Sequence, residues 1–188
     1  MGRAAARALS KHDLVIAGRK SGDVHADVTD ESSVRAMFEK LGKVDAIVAC
    51  TGNSYFGPVS TMTPQQFLDG MKDKVMGQIN LALIGMAHVA DGGSITLTSG
   101  VLAQVAMPGA AAISMVNAGL EGFARSAQLD LRRDLRINVV SPPWIKETMV
   151  KLGMDPTPGL AAASAANAYV AAVEGAHRGE TLACAAFA

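Results

Sequence analysis

Four short apolar segments of the sequence each end in residues that could bind or react with a small molecule. Arginine can hold phosphate, glycine lets a ligand approach the backbone closely, and a serine hydroxyl can contact a substrate oxygen. A proline-rich turn beside a tryptophan can form a rigid wall against a flat ring. These segment ends are Gly18-Arg19-Lys20-Ser21-Gly22, Cys50-Thr51-Gly52-Asn53, Thr98-Ser99-Gly100 and Ser141-Pro142-Pro143-Trp144.

The first of these ends carries a signal for one form of nicotinamide dinucleotide. Arg19, Lys20 and Ser21 offer positive charge and a hydroxyl, which suit a ribose 2′-phosphate, whereas an acidic residue would suit a free 2′-hydroxyl. The segment therefore favours NADP(H) over NAD(H), although a solvated basic turn is an alternative interpretation. Thr51 and Gly52 are likewise consistent with a ligand contact or with an ordinary turn.

These ends belong to apolar runs that alternate with helical patterns, which is typical of a parallel α/β sheet. The predicted buried strands cover residues 14–17, 46–49, 95–97 and 137–140, with a last short strand near 182–184. The predicted helices cover residues 34–41, 67–83, 116–127 and 160–173. The sequence therefore predicts one domain over residues 1–188, with ligands at the carboxyl ends of the strands.

The composition excludes several classes of protein. The 188 residues include 17 basic and 17 acidic residues and are 49% apolar, which argues against disorder and against a charged surface for nucleic acid or membranes. No apolar stretch approaches the roughly 20 residues of a membrane span. Two cysteines and four scattered histidines indicate neither a disulfide framework nor a metal site. We expect a cytoplasmic protein whose partners are small molecules or other copies of itself.

Taken together, these features resemble the short-chain dehydrogenase/reductase family over nearly the whole chain. The resemblance implies a doubly wound, NAD(P)-binding, Rossmann-like three-layer sandwich that exchanges hydride between an alcohol and a carbonyl. By position it places Asp27 and Val28 at the adenine, Gly52 at the adenosine ribose, and Pro142, Pro143, Trp144 and Ile145 at the nicotinamide. The pieces that carry it, in order, are Gly18-Arg19, Asp27-Val28-Thr29, the turn from Ala49 to Gly52, Leu97-Thr98-Ser99-Gly100, Asn117-Ala118-Gly119-Leu120-Glu121-Gly122-Phe123 and Asn138-Val139-Val140-Ser141-Pro142.

The start of the chain departs from the family pattern. The family begins with a strand and a Thr-Gly-x-x-x-Gly-x-Gly loop whose amides bind the pyrophosphate, and Gly2 corresponds to the last of those glycines. The missing strand is central in the family's sheet, so its absence removes apolar burial on the order of 10 kcal/mol. We therefore expect the sheet to lack its first strand in this chain, with that strand and the other glycines lying upstream of Met1.

The catalytic residues that the resemblance implies also differ. The family uses Asn, Ser, Tyr and Lys; its tyrosine passes a proton to the substrate oxygen, and its lysine lowers the pKa of that tyrosine. Ser99 is retained, but Ile113 and Asn117 stand at the tyrosine and lysine positions, and Lys74 stands at the asparagine position. Either Lys74 and Asn117 have exchanged roles, or the site has drifted and no longer does this chemistry.

Two functions are therefore open. One is an NADP-dependent oxidoreductase in which Lys74 supplies charge and could supply the proton, Ser99 orients the carbonyl and Asn117 bonds the ribose. The other is a dinucleotide-binding or assembly protein that kept the scaffold and lost catalysis. The resemblance also implies a homodimer or homotetramer through helix residues expected to lie off the core stripe, namely Leu81, Ala82, Met86, Ala118 and Ala124.

Overall fold

The computed structural model describes residues 1–188 and shows strands alternating with helices. The strands are β1 (Ala17–Gly18), β2 (Val24–His25), β3 (Val44–Val48), β4 (Val89–Thr98), β5 (Arg136–Ser141) and β6 (Thr181–Ala183). The helices are α1 (Gly2–Ala8), α2 (Glu31–Leu41), α3 (Pro64–Gly70), α4 (Gly77–Gly85), α5 (Ala111–Asp130), α6 (Lys146–Lys151), α7 (Ala162–Ala165) and α8 (Asn167–Glu174). A π-helical segment, Met71–Met76, joins α3 to α4. The one helix predicted over 160–173 is thus two helices, α7 and α8.

Every strand pair is parallel, but the sheet is in two pieces. β3, β4, β5 and β6 lie side by side in that order, and β1 pairs only with β2. The larger apolar core joins the four-stranded piece to α2, α4 and α5, and includes Phe38, Ile95 and Leu120. The smaller core joins it to α1, α7 and α8, and includes Val140 and Tyr169. The predicted α/β class and the Rossmann-like three-layer arrangement are therefore confirmed.

The central strands form because both of their faces are buried. In the register of β4 and β5, Ile95 lies opposite Ile137 and Leu97 opposite Val139, and all four side chains enter the larger core. On the other face, Thr96 of β4 and Val140 of β5 are also fully buried. Such runs of branched aliphatic residues are typical of parallel strands covered on both sides. Parallel pairing also brings the residues after each strand to the same edge of the sheet. None of the helices combines the length and the apolar content that a membrane crossing requires.

A cleft of about 880 Å³ separates the two pieces of the sheet, lined on one side by residues 14–18 and on the other by β3. The prediction of a buried strand over 14–17 is wrong. Only Ala17–Gly18 is a strand, and Leu14, Val15 and Ile16 are 37%, 52% and 45% exposed. The Ile16 backbone bonds to Asp23 and Val24, but no strand lies against this segment on the cleft side, so its side chains stay exposed. The expected absence of one strand agrees with this gap, whereas its location upstream of Met1 stays a prediction.

The helix predicted over 67–83 is interrupted by the π-helical segment. A π turn holds more residues than an α turn, so the buried face of the helix is displaced after it. Leu83, predicted on the apolar stripe, is therefore exposed, whereas Leu81 and Ala82 lie in the larger core. The expectation that Leu81, Ala82 and Ala124 form a surface for self-association is wrong, because all three are buried in that core.

The N-terminus of α3 is fixed by a capping box, as the sequence predicts. Thr63 Oγ1 accepts a hydrogen bond from the Gln66 amide at 3.4 Å, and Gln66 Oε1 accepts one from the Thr63 amide at 2.8 Å. Thr63→Ala removes the first bond and is expected to lower the free energy of unfolding by about 1 kcal/mol, measured by urea denaturation. Thr148→Ala, at an exposed position of α6, is the control; equal losses in the two variants would contradict the capping role.

Candidate active site

The carboxyl ends of β3, β4 and β5 meet at one edge of the sheet. The Ala49 amide donates to the Thr96 carbonyl at 2.8 Å, the Ser99 amide to the Val140 carbonyl at 3.0 Å, and the Val101 amide to the Pro142 carbonyl at 2.9 Å. These bonds continue the ladder to the strand ends and beyond, so the turns at 50–53, 98–100 and 141–144 are neighbours. Three of the four segment ends singled out in the sequence are thereby brought together.

The three predicted catalytic residues form one buried cluster at this edge. Lys74 Nζ donates to Asn117 Oδ1 at 2.6 Å and to the Ser99 carbonyl oxygen at 3.2 Å. Asn117 Nδ2 in turn donates to the Gly100 carbonyl oxygen at 3.3 Å. Lys74, Ser99 and Asn117 are only 9%, 5% and 2% exposed. The structure thus places these residues in contact, and their catalytic roles stay predictions.

Two features of the main chain bring Lys74 to Ser99. Lys74 lies in the π-helical segment, and π turns within helices are frequent at functional sites. Gly52 has a φ of +99°, and a Cβ at this position would lie 2.5 Å from the Lys74 Cα. Glycine is required at residue 52, because any side chain would push the segment that carries Lys74 away from the turn after β3.

Burial lowers the pKa of Lys74 from 10.5 to about 8. Lys74 takes part in none of the ion pairs of the structure, so its charge is stabilised by the oxygens of Asn117 and Ser99 and by no carboxylate within ion-pair distance. An amine with a pKa near 8 can carry charge at neutral pH and can also exchange a proton there.

The lowered pKa makes stability depend on pH in one direction. Between pH 8 and 10.5 the unfolded chain holds a proton on Lys74 that the folded protein has lost, so the free energy of unfolding rises with pH across this window, by up to about 3 kcal/mol from this group. Lys74→Met is expected to remove that rise, whereas Lys72→Met, an exposed lysine of the same segment, keeps it. Urea denaturation at several pH values measures the effect, and parallel curves for the two variants would contradict it.

Sequence reasoning missed a carboxylate at the same site. Ser99 Oγ donates to Glu121 Oε1 at 2.8 Å, and Gln104 Nε2 donates to Glu121 Oε2 at 3.1 Å. Glu121 is buried and lies four residues after Asn117 on α5, so the two side chains share one face of the helix. That spacing was the available signal for Glu121. Gln104 had none, because its position depends on the turn that follows β4.

Arg19 lies at the end of β1 between two carboxylates. Its Nε is 3.2 Å from Asp27 Oδ2, and its Nη2 is 3.3 Å from Asp73 Oδ1. Hydrogen bonds from the amide and hydroxyl of Thr29, together with the Arg19 charge, lower the pKa of Asp27. Asp73 also accepts a hydrogen bond from the Asn53 amide at 2.7 Å, which links the β1 turn to the turn after β3. The Arg19 side chain is still 53% exposed, so it can contact a phosphate.

The turn after β5 is walled by aromatic rings. Pro142 is buried, Pro143 and Trp144 are partly buried, and the Trp144 ring meets the Phe56 ring edge-on with centroids 6.5 Å apart. The other predicted cofactor residues differ in depth: Lys20 and Ser21 are exposed, Thr51 is partly buried, and the side chains of Val28 and Ile145 lie in the two apolar cores.

The residue types at this edge of the sheet are suited to binding a nicotinamide dinucleotide. Arg19 supplies a phosphate-binding side chain, Gly52 supplies backbone that a ligand can approach closely, and Trp144 supplies a flat wall. Gly2 opens α1, and a Cβ on it would lie 3.6 Å from the Cβ of Cys50, so the start of this helix adjoins the turn after β3.

Comparison with known proteins gives a family and several relatives. The family model described as enoyl-(acyl carrier protein) reductase matches residues 2–184. The chain is 31% identical over 143 residues to tetrahydroxynaphthalene reductase PfmaG of Pestalotiopsis fici, an alignment that covers 73% of this chain and 52% of that protein. It is 27% identical over 137 residues to hydroxynaphthalene reductase arp2 of Aspergillus fumigatus, with 70% and 50% covered. The chain thus spans about half the length of the curated relatives it matches.

Several solved structures have the same fold as this chain. The protein lin1944 from Listeria innocua is 38% identical and superposes with a TM-score of 0.91, covering 97% of this chain and 92% of that chain. A small-chain dehydrogenase in complex with NADPH is 24% identical with a TM-score of 0.80, covering 97% of this chain and 90% of that chain. At that identity the second likeness shows a common fold alone.

Proposed function

Because the chain belongs to the short-chain dehydrogenase/reductase family, we propose that it is an NADP-dependent oxidoreductase that exchanges hydride between NADP(H) and a small carbonyl or alcohol substrate. The observation that carries the proposal is the buried cluster of Lys74, Asn117 and Ser99 at the carboxyl edge of the sheet. Burying a cation without a carboxylate partner is unfavourable for stability. A buried ammonium can, however, stabilise the negative charge that develops on a substrate oxygen during reduction.

Each residue of the cluster has a distinct task in this proposal. The Lys74 ammonium stabilises the alkoxide that develops when the carbonyl is reduced, and Asn117 holds that ammonium in place through its Oδ1. Ser99 contacts the substrate oxygen through its hydroxyl. The cofactor, when bound, supplies the hydride. Ile113, at the position of the family's tyrosine, has no proton to give, so the proton reaches the substrate by another group.

The choice of NADP(H) over NAD(H) rests on Arg19. Arg19→Ala is expected to weaken NADPH binding roughly 10- to 100-fold and to leave NADH binding unchanged, because a charge-assisted hydrogen bond to the 2′-phosphate contributes about 1.5–3 kcal/mol. Fluorescence titration with each cofactor measures the effect. Arg35→Ala, at an exposed position of α2, is the control. Equal weakening of both cofactors by Arg19→Ala would contradict the assignment.

The proposed substrate is a carbonyl compound that can pack against the aromatic rings of Phe56 and Trp144. Two of the relatives are named as reductases of hydroxynaphthalenes, and Phe56 and Trp144 present ring faces and edges beside the proposed nicotinamide position. NADPH oxidation is therefore to be followed with aldehydes, aliphatic ketones and tetrahydroxynaphthalene. We expect turnover of at least one of them, lowered at least 100-fold in Lys74→Met.

Ile113 favours a second candidate, a dinucleotide-binding or assembly protein that no longer catalyses hydride exchange. NADPH binding without turnover of any member of the panel would support this candidate and contradict the first.

In either case we propose that the chain associates into a dimer or tetramer. Met76, Leu83 and Met115 leave apolar side chains exposed on the helices beside the site, and such surfaces are typical of contacts between copies. Sedimentation that shows a monomer at high concentration would contradict that association. A cytoplasmic location belongs to the same proposal.

A further inference from the structure

Ser99 is bonded on two sides by groups of opposite charge. Its carbonyl oxygen accepts from Lys74 Nζ at 3.2 Å, and its Oγ donates to Glu121 Oε1 at 2.8 Å. A hydroxyl has one hydrogen to donate and two positions that accept. With the Ser99 hydrogen directed to an ionised Glu121, Oγ can only accept a hydrogen bond from a ligand. The serine is therefore set to receive a substrate hydroxyl, and in this state it cannot donate to a carbonyl oxygen.

The Glu121 carboxylate is held in a defined orientation. Its Oε2 accepts from Gln104 Nε2 at 3.1 Å while Oε1 accepts from Ser99, so each oxygen has its own partner. The Glu121 side chain is buried, whereas Gln104 is exposed. The carboxylate thus lies between Ser99 and the exposed Gln104, and Glu121 itself keeps 7% of its surface exposed, so the carboxyl group can exchange a proton with water.

We propose that Glu121 is the positioning residue that holds the proton for Ser99, and that the pair performs the proton exchange for which Ile113 has no group. This inference rests on the proposed function. In the reducing direction, Ser99 Oγ–H gives its proton to the substrate oxygen as hydride arrives at the carbonyl carbon, and Oγ takes the proton of the Glu121 carboxyl. Ketone, NADPH and protonated Glu121 become alcohol, NADP⁺ and the Glu121 carboxylate. In the oxidising direction the same proton moves from the alcohol through Oγ to Glu121.

Lys74 has a complementary task in this scheme. Its ammonium donates hydrogen bonds to the Ser99 carbonyl oxygen and to Asn117 Oδ1, and it makes no bond to the Ser99 hydroxyl. Charge stabilisation then comes from Lys74 and proton transfer from the Ser99–Glu121 pair. Removal of Lys74 and removal of Glu121 should consequently affect the pH dependence of the rate in different ways.

The test compares Glu121→Gln, Glu121→Asp and Ser99→Ala with Glu39→Gln, an exposed glutamate of α2 that serves as the matched control. Steady-state kcat and KM are measured against pH with NADPH and the best carbonyl of the panel, and NADPH binding is measured by fluorescence. Glu121→Gln keeps the shape and an acceptor for Ser99 but cannot hold the proton. We expect it to lower kcat roughly 10²- to 10³-fold with NADPH binding unchanged, and we expect Glu121→Asp to recover part of the rate.

Two further results decide the matter. The exchanged proton passes through the Glu121 carboxyl in the wild type, so the pH profile of kcat for reduction is expected to differ between the wild type and Glu121→Gln. The double variant Ser99→Ala/Glu121→Gln should be no slower than Ser99→Ala, because the two act as one unit. A kcat of Glu121→Gln within threefold of wild type, or losses that multiply in the double variant, would overturn the relay while leaving the proposed function intact. A wild type that binds NADPH and turns over no carbonyl would overturn both.

Discussion

An apolar strand of about six residues, joined in front of Met1 through a glycine-containing turn, is expected to raise the free energy of unfolding by about 2 kcal/mol. Burying five apolar side chains contributes about 1.5–3 kcal/mol each, and ordering the added residues opposes this by about 1.5 kcal/mol each. The strand would also cover Leu14, Val15 and Ile16, which line the cleft and are partly exposed. It would pair with the free edge of β3 and with the segment before β1.

Urea denaturation of the chain with and without this strand measures the gain through the midpoint and the slope. The control is the same strand with proline at its third residue, which removes a ladder donor and cannot lie between two paired strands. If the proline version stabilises the protein as much as the original, the added residues do not occupy the cleft. The apolar lining of the cleft would then need another explanation.

Lys74→Met is expected to lower kcat for carbonyl reduction roughly 10²- to 10³-fold, which corresponds to about 3–4 kcal/mol of lost transition-state stabilisation. Methionine fills a similar volume but removes the charge that Asn117 and Ser99 hold at this position. The rate of the wild type should also fall as pH rises through about 8, where Lys74 loses its proton. Lys72→Met is the matched control, because Lys72 lies in the same segment with its side chain exposed.

Initial rates of NADPH oxidation between pH 6 and pH 9 measure both effects. A Lys74→Met variant that keeps the wild-type rate would contradict the exchange of roles between Lys74 and Asn117. The exchange of roles would also be contradicted if the wild-type rate rose through pH 8 and Lys74→Met showed the same pH profile. NADPH binding, measured alongside, shows whether a lost rate reflects chemistry or an empty site.

The parts of the fold that were predictable from sequence are those whose burial is complete within this chain. β4 and β5 read as short aliphatic runs because both of their faces are covered. The same kind of run at 14–17 is mostly not a strand, since strand formation depends on a neighbour that pattern alone does not supply. The π-helical segment was equally invisible, because a period of 3.6 residues fits the flanking helices and the extra residue appears only as a shifted face.

The residues of the candidate site could be predicted only where the family resemblance assigns a position in this sequence to a catalytic residue. Ser99, Lys74 and Asn117 were aligned to family positions one by one, and the structure places them in contact. Glu121 lies inside a motif that carries the resemblance, and its spacing from Asn117 places the two on one helix face. That spacing does not indicate that a strand end brings a serine hydroxyl to Glu121. Such contacts between distant residues depend on how helix and sheet pack, which the sequence does not state.

Binding of NADP(H) at the carboxyl edge of this sheet can be measured through Trp144, the only tryptophan of the chain. Trp144 lies in the turn proposed to face the nicotinamide, so bound NADPH should quench its emission and gain emission of its own by energy transfer. We expect a saturable signal with NADPH, in the chain alone or with the added strand, and we expect Arg19→Ala to shift this signal to higher NADPH concentration. Titrations that show no saturable change in either form, while the protein unfolds cooperatively, would contradict it.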